Sequence, residues 1–320
     1  MVSAGKKFII LAVSLMIIGA LIFVIAASSA GWDFTKLGTV NHETNTHEID
    51  EDVNSISIKT DTADIGFLPS DDGKIKVVCY EQENMKHTVS VSDGDLKIEV
   101  VDTRKWYEHI SWYSSPKITV YLPEGEYSSL VIDEDTGDID VANNYKFESV
   151  DIKASTGDIE LYSSSDSVKV KTSTGNIRVE NITANLLDLS VSTGRVTVLS
   201  TVCYGDLNIK VSTGKTYLTD TKCKNLTSNG NTGDMTLKAV IATEKFSIER
   251  STGDVKFEGC DAAEIFVKTD TGNVKGTLLS DKVFFATSDT GDVDVPKTII
   301  GGRCEITTDT GDIKLSVKPQ

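Results

Sequence analysis

Four Asp-Thr-Gly tripeptides, at Asp135, Asp270, Asp289 and Asp309, are the residues of this chain that look most like catalytic machinery. An aspartic protease sets two such tripeptides face to face, with carboxylates about 3 Å apart sharing one proton. Asp138, Asp158, Asp234, Asp254, Asp292 and Asp312 each follow a Gly directly. Such a file of acids invites a divalent cation, because calcium takes six to eight oxygen ligands. Cys79, Cys203, Cys223, Cys260 and Cys304 supply thiols, but none forms C-x-x-C, and neither a metal nor a cofactor is expected. Trp106, Tyr107, Trp112 and Tyr113 stand among Arg104, Lys105, Glu108 and His109. Aromatic rings with polar tips stack on sugars or anchor a partner, which makes these four the ligand-binding candidates; the plainer reading is a hydrophobic lid.

The tripeptides belong to a longer series. Thr-Gly occurs as Thr136-Gly137, Thr156-Gly157, Thr174-Gly175, Thr193-Gly194, Thr213-Gly214, Thr232-Gly233, Thr252-Gly253, Thr271-Gly272, Thr290-Gly291 and Thr310-Gly311, at intervals of 18 to 20 residues. A fixed period of this length marks a solenoid or array, so the dyads are read as structural corners and the protease reading falls away. Calcium solenoids use a nonapeptide period, and Arg195 and Lys215 interrupt the acidic file; solvated carboxylates that protect an edge are expected instead. Flat Thr arrays also bind ice, but here there is one file at a corner.

Between corners the apolar residues alternate with period two, as in Ile159 and Leu161 after the Gly and Val168 and Val170 before the next. That period identifies strands. The fold expected is all-β: a single-stranded parallel β-solenoid, or β-helix, of about ten turns of 19–20 residues, two-sided, in which each turn buries its apolar face only against its neighbours. At ~4.8 Å per rung the ten turns make a rod of roughly 43 Å. Gly is expected at the corner for positive φ, and the Thr hydroxyl to satisfy corner backbone groups. Cys203 and Cys223 fall one turn apart, about 5 Å between Cα atoms, so they form either a disulfide or a pair of small core residues. Cys304 reads as core. Polysaccharide-cleaving enzymes use β-helices too, but their chemistry needs irregular loops with converging acids or bases. The turns are uniform, and His42, His47, His87 and His109 all precede them.

With 48 acidic and 32 basic residues, the net charge of -16 excludes a nucleic-acid partner. Lys6 and Lys7 precede an uncharged run from Phe8 to Ala27, long enough to span a bilayer core. The length favours an anchor in the membrane over a cleaved signal peptide, and the lysines place the N-terminus in the cytoplasm and the rest outside the cell membrane. The organisation expected is a cytoplasmic stub and transmembrane helix over 1–30, a polar tether over 31–48, an irregular β-rich cap over 49–130 and the regular solenoid over 131–320. Thr62-Ala63-Asp64-Ile65 resembles one further corner, and Lys314, Lys318 and Pro319 would discourage pairing at the far edge.

The S/D-T-G-D-I/V corners, the strand Ile118-Thr119-Val120-Tyr121-Leu122-Pro123 and the single N-terminal membrane segment together resemble the bacterial putative-adhesin family. The resemblance covers residues 49 to 318 and implies a cell-envelope β-solenoid with no catalytic residues to transfer. The function expected is non-enzymatic: an extracellular, membrane-anchored scaffold that binds envelope polymer or an envelope protein. The alternatives are an accessory sensor of envelope stress acting through its helix and, more remotely, a carbohydrate-active enzyme.

Overall fold

In the computed structural model, which describes residues 4–29, 32, 41–104 and 116–318, one helix precedes a continuous sheet of 28 strands. The helix, α1 (Ala4–Ser29), has 26 residues and a stretch, Leu11–Ser28, with mean hydropathy 2.7. It is long and apolar enough to cross a membrane.

The chain is an all-β solenoid of about ten regular turns. In a typical turn a long strand, Tyr145–Thr156, passes through the Thr-Gly corner into a short one, Ile159–Leu161, and both pair in parallel with their counterparts, Ser164–Thr174 and Ile177–Glu180. Alternation sends every second residue inward. Ile132, Ile152, Val170, Leu189 and Ile209 stack in register from turn to turn, all buried. Branched side chains suit this pleated, half-buried surface. Each buried Ile, Leu or Val contributes ~1.5–3 kcal/mol, but only once its neighbours are in place.

The cross-section has a third side that the two-sided expectation lacks. Six residues past the Gly, the chain turns again through left-handed residues: Asn181 (φ 57°), Ser200 (46°), Asp220 (49°), Ala239 (51°) and Gly259 (63°). A short ladder follows, in which Thr183, Val202, Lys222, Ile241 and Asp261 align. Its inward file is Ala184, Cys203, Cys223, Ala242 and Ala262, and only small side chains occupy it.

Neither end is stacked in chain order. The N-terminal segment contributes β1 (His42–Ile49), β2 (Ser55–Thr62), β3 (Asp64–Pro69), β4 (Ile75–Gln82), β5 (Met85–Ser92), β6 (Asp95–Asp102) and β7 (Lys117–Leu122), ahead of the first regular turn, β8 (Gly125–Thr136) and β9 (Ile139–Val141). The turn β2–β3 lies between β6–β7 on one side and β8–β9 on the other. Thr62 pairs with Thr136 and Ile65 with Ile139, so the corner read at Thr62-Ala63 has the regular register. Antiparallel strands close this end: β5 on β6, β4 on β7, and β1 on β4. Residues 42–48, expected in a tether, are therefore strand; their inward positions include Asn45 and His47, and this polarity hid the alternation.

At the other end, the last strands, Gly302–Thr310 and Ile313–Val317, insert between the turn of Gly272 and the turn of Gly291. Gly301 and Gly302 permit the crossing, because a Cβ on them would stand 1.9 Å from Asp281 O and 1.8 Å from Ala263 O. Lys314 thus lies inside the stack, paired opposite both Lys275 and Asp294, and not at the edge. The edge is the turn that begins with the strand Lys282–Thr290.

Candidate functional site

The corner file, the most regular surface of the molecule, is built from backbone upward. Nine of the ten corner glycines have positive φ, from 130° at Gly233 to 158° at Gly272. Gly137 lacks it, yet a Cβ there would still lie 2.1 Å from Ala63 O. Close approach of neighbouring backbones is therefore the requirement common to all ten. Nine of the ten Gly N–H groups donate to the Thr carbonyl of the adjacent turn, as Gly157 does to Thr174 (2.9 Å), the exception being Gly291 on the terminal turn. The Thr side chains themselves project outward, exposed. At four turns the bonding expected of their hydroxyls comes instead from the inward residue two before the Thr, namely Thr172, Thr269, Ser288 and Thr308: Thr308 Oγ1 donates to Gly272 O (3.0 Å) and Ser288 Oγ to Gly311 O (2.8 Å).

The acids that follow the Gly are engaged as well. The backbone N–H of Asp158 donates to Asp138 Oδ1 (2.8 Å), that of Asn176 to Asp158 Oδ1 (2.8 Å), that of Asn273 to Asp254 Oδ1 (2.8 Å) and that of Asp312 to Asn273 Oδ1 (2.9 Å). The file is a ladder of side-chain carbonyl and carboxylate oxygens, each satisfying a corner N–H one turn on. The protease-like tripeptides do not converge: Asp135 sits on the first regular turn, whereas Asp270, Asp309 and Asp289 occupy adjacent turns at the opposite end, exposed.

Besides buried Ser and Thr hydroxyls and the Lys282–Asp261 ion pair, three places among the described residues carry polar groups in the interior. Glu134 fills the inward corner position of the first regular turn; its Oε1 accepts from Ala63 N (3.0 Å), while Oε2 is buried without a partner. Cys79, Glu81 and His87 meet at the N-terminal end. Arg250 is 2% exposed, and its Nη2 donates to Ser228 Oγ (2.9 Å) and Thr216 Oγ1 (3.2 Å), while Nε has no partner. Burial pulls the guanidinium pKa down to about 10, so it stays charged at neutral pH without a carboxylate among these partners. Gly230 leaves it room, since a Cβ there would stand 1.8 Å from Nη1. A lone buried charge costs more in desolvation than two hydroxyls return, so Arg250→Met is expected to raise stability by about 1–3 kcal/mol. A urea midpoint that moves down instead would show that the hydroxyl bonds outweigh the desolvation.

Trp106, Tyr107, Trp112 and Tyr113 lie outside the described residues. Cys203 and Cys223 sit at equivalent positions on adjacent turns, buried, as free thiols. Desolvation pushes both thiols up, Cys223 to about 12.

Among the described residues outside α1, exposed apolar side chains gather at the end of the stack opposite the one that α1 precedes. Ile299 is 91% exposed and Ile300 65%, and Phe285 and Val293 of the same terminal turn are exposed too. Among the described residues the strand Lys282–Thr290 pairs only with Gly302–Thr310, which leaves its outer edge open to them, and Phe284 and Ala286 cover the core only in part. One face continues the apolar surface: Phe266 lies under Lys245 Nζ (4.1 Å) and Phe285 under the Arg303 guanidinium (4.9 Å). A groove of 340 Å³ runs past Phe266, lined also by Glu249, Lys268 and Glu305. Apolar rings capped by cations, next to an open strand edge, form a surface suited to binding. Sequence reading missed this end, because Ile299 and Ile300 follow the alternation of no strand.

Comparison with known proteins adds a family. The model of the family described as Toastrack DUF4097 matches residues 53–205 and again 200–320. No curated protein matches the chain. Among solved structures, a putative lipid binding protein from Parabacteroides distasonis is 17% identical, covering 87% of this chain and 98% of its own, with a TM-score of 0.46. A putative adhesin from Parabacteroides merdae is 14% identical over 75% of this chain and 97% of its own, with a TM-score of 0.45. A putative adhesin from the same Parabacteroides distasonis is 15% identical over 75% and 97%, at 0.42.

Proposed function

The chain belongs to the Toastrack DUF4097 family, and on that premise we propose that it is a non-enzymatic binding scaffold of the cell envelope. In this reading α1 spans the membrane with Lys6 and Lys7 in the cytoplasm, and the solenoid stands outside as a stiff rod. The observation that carries it is the ladder at the corners: seven of the ten residues that follow the Gly, five Asp and two Asn, have a side-chain oxygen spent on a backbone N–H of the adjacent turn. An acid held this way closes a corner and is not poised to move protons. What the rod presents to a partner is the open far end, with Phe285, Ile299 and Ile300, and the aromatic cluster of Trp106 and Trp112. The partner class is envelope polymer or an envelope protein.

The test uses the full chain in detergent micelles, challenged with isolated envelope polysaccharide and with solubilised envelope protein. Retention on one of these fractions is expected, falling about tenfold in Phe285→Ser/Ile299→Ser/Ile300→Ser or in Trp106→Ala/Trp112→Ala, on the scale of ~1.4 kcal/mol for a buried anchor. Binding that neither variant changes would remove both surfaces from the reading. Turnover of the polysaccharide, lost on replacing one solenoid carboxylate, would overturn it entirely.

A further inference from the structure

The N-terminal end contains a buried cluster that neither the repeat nor the binding surface explains. Cys79 and Glu81 stand two apart on β4, so both point into the core, and His87 enters from β5. Their ligand atoms lie within 4.8 Å of one another, and all three residues are buried. The strands make this possible by parting: β4 and β5 pair at Gln82 and Met85 alone, after which β4 joins β7 and β5 joins β6. In the opening, Glu81 Oε2 accepts from the backbone N–H of His87 (2.6 Å) and lies 2.8 Å from His87 Nδ1.

The outer contacts fix the orientation of the group. Glu81 Oε1 accepts from Asn45 Nδ2 (2.7 Å), and His87 Nε2 is 2.9 Å from Thr60 Oγ1. A carboxylate and an imidazole, each held by its second polar atom, are what metal ligands need from their surroundings. A further donor stands outside the 4.8 Å group and must move in to share an ion: His47 follows Asn45 on the same face of β1, diagonal to Cys79 across the β1–β4 pair. Its Nε2 is buried and has no hydrogen-bond partner.

We propose that Cys79 Sγ, Glu81 Oε2 and His87 Nδ1 bind a divalent transition metal of the zinc class, with His47 Nε2 as fourth ligand. Thiolate, imidazole and one carboxylate in a closed interior suit tetrahedral zinc and exclude the all-oxygen shells of calcium and magnesium. Around zinc, with bonds of ~2.0–2.1 Å, the Glu81 oxygen and His87 nitrogen would stand roughly 3.3 Å apart, so the 2.8 Å contact must open by about half an ångström. On binding, one proton leaves Cys79, His87 Nδ1 faces the ion with its lone pair, and the imidazole proton sits on Nε2, which donates it in a hydrogen bond to Thr60 Oγ1. All three ligands are buried in the folded chain, so loading accompanies folding, and it releases the thiol proton. The ion would tie β1, β4 and β5 together where the solenoid closes.

The test is to refold the full chain from urea in mild detergent with one equivalent of Co²⁺ or Zn²⁺. Cobalt is expected to give the near-ultraviolet sulfur-to-cobalt band and intense visible absorption of a tetrahedral thiolate site, displaced by equimolar zinc. Zinc is expected to raise Tm by about 5 °C or more. Cys79→Ser should abolish the band, and Asn45→Ala, which frees Glu81 to rotate, should weaken cobalt binding 10- to 100-fold. The proposal is overturned if wild type refolds with neither band nor Tm shift, or if the band survives in Cys79→Ser and disappears in Cys203→Ser. Should Cys79→Ser fail to fold, the Asn45→Ala affinity decides, and an unchanged value overturns the site.

Discussion

Gly214→Ala is expected to destabilise the solenoid by about 4 kcal/mol or more, whereas Gly66→Ala changes stability by less than about 1 kcal/mol. At Gly214 the added Cβ would stand 1.6 Å from Gly194 O and 2.7 Å from Gly194 C. Both are backbone atoms of the neighbouring turn, held there by the bond from Gly194 N to Thr213 O (2.9 Å), and no rotamer change relieves the overlap. The φ of 141° adds strain that an L-residue resists in any space. The rungs must separate, and because every turn is stable only against its neighbours, the damage spreads along the rod. Gly66, on β3, has nothing within 4 Å of its would-be Cβ, and it controls for the loss of glycine as such. Urea denaturation measures both, and limited proteolysis of Gly214→Ala should cut first near the interrupted corner. Equal midpoints for the two variants would mean that the corner can relax in a way the close approach forbids.

The same corner shows what can be read from residue types alone. Backbone approach at Gly137 through Gly311 admits one amino acid, so the requirement is written at every turn and the period is plain. The second corner has the same regularity but accepts Asn181, Ser200, Asp220, Ala239 and Gly259, because the left-handed region costs a side chain only ~1–2 kcal/mol. A tolerance of that size leaves no consensus to see. Stack order at the ends is hidden for a different reason. All turns share one register, so a turn fits between any two others, and only Gly301-Gly302 betrays the crossing. Arg250 left a fainter trace: on the turn before, Ser228 breaks an otherwise apolar file and Gly230 leaves the inward corner position without a side chain. The cluster of Cys79, Glu81 and His87 shows in sequence only as two inward polar positions on one strand and a third beyond a hairpin. That pattern is short enough to arise in any strand pair, and the splayed strands give it meaning.

Glu134 should make the stability of the protein fall as pH rises from about 4.5 through about 8, by up to about 5 kcal/mol relative to Glu134→Gln. Burial is the main cause: the carboxyl is 2% exposed, and desolvation lifts its pKa from 4.5 to about 8, against the lowering effect of the N–H groups of Ala63 and Thr136. Asp64 and Asp135 push it the same way as burial. Below pH 4.5 the side chain is protonated both folded and unfolded, and the fold bears no penalty. Between 4.5 and 8 the unfolded chain releases the proton while the folded chain keeps it, so each pH unit favours unfolding by ~1.4 kcal/mol. Above 8 both forms are ionised, the loss is complete, and a charge with one unpartnered oxygen is buried beside Ala63. Gln keeps the acceptor for Ala63 N and has no proton to lose, so the two proteins should match near pH 4.5 and diverge steadily to pH 8. Subtracting their urea-derived stabilities cancels the many exposed acids. Parallel profiles across that interval would mean that Glu134 ionises at its ordinary pKa, through water that reaches the corner, and that the first regular turn is less tightly closed than the turns beyond it.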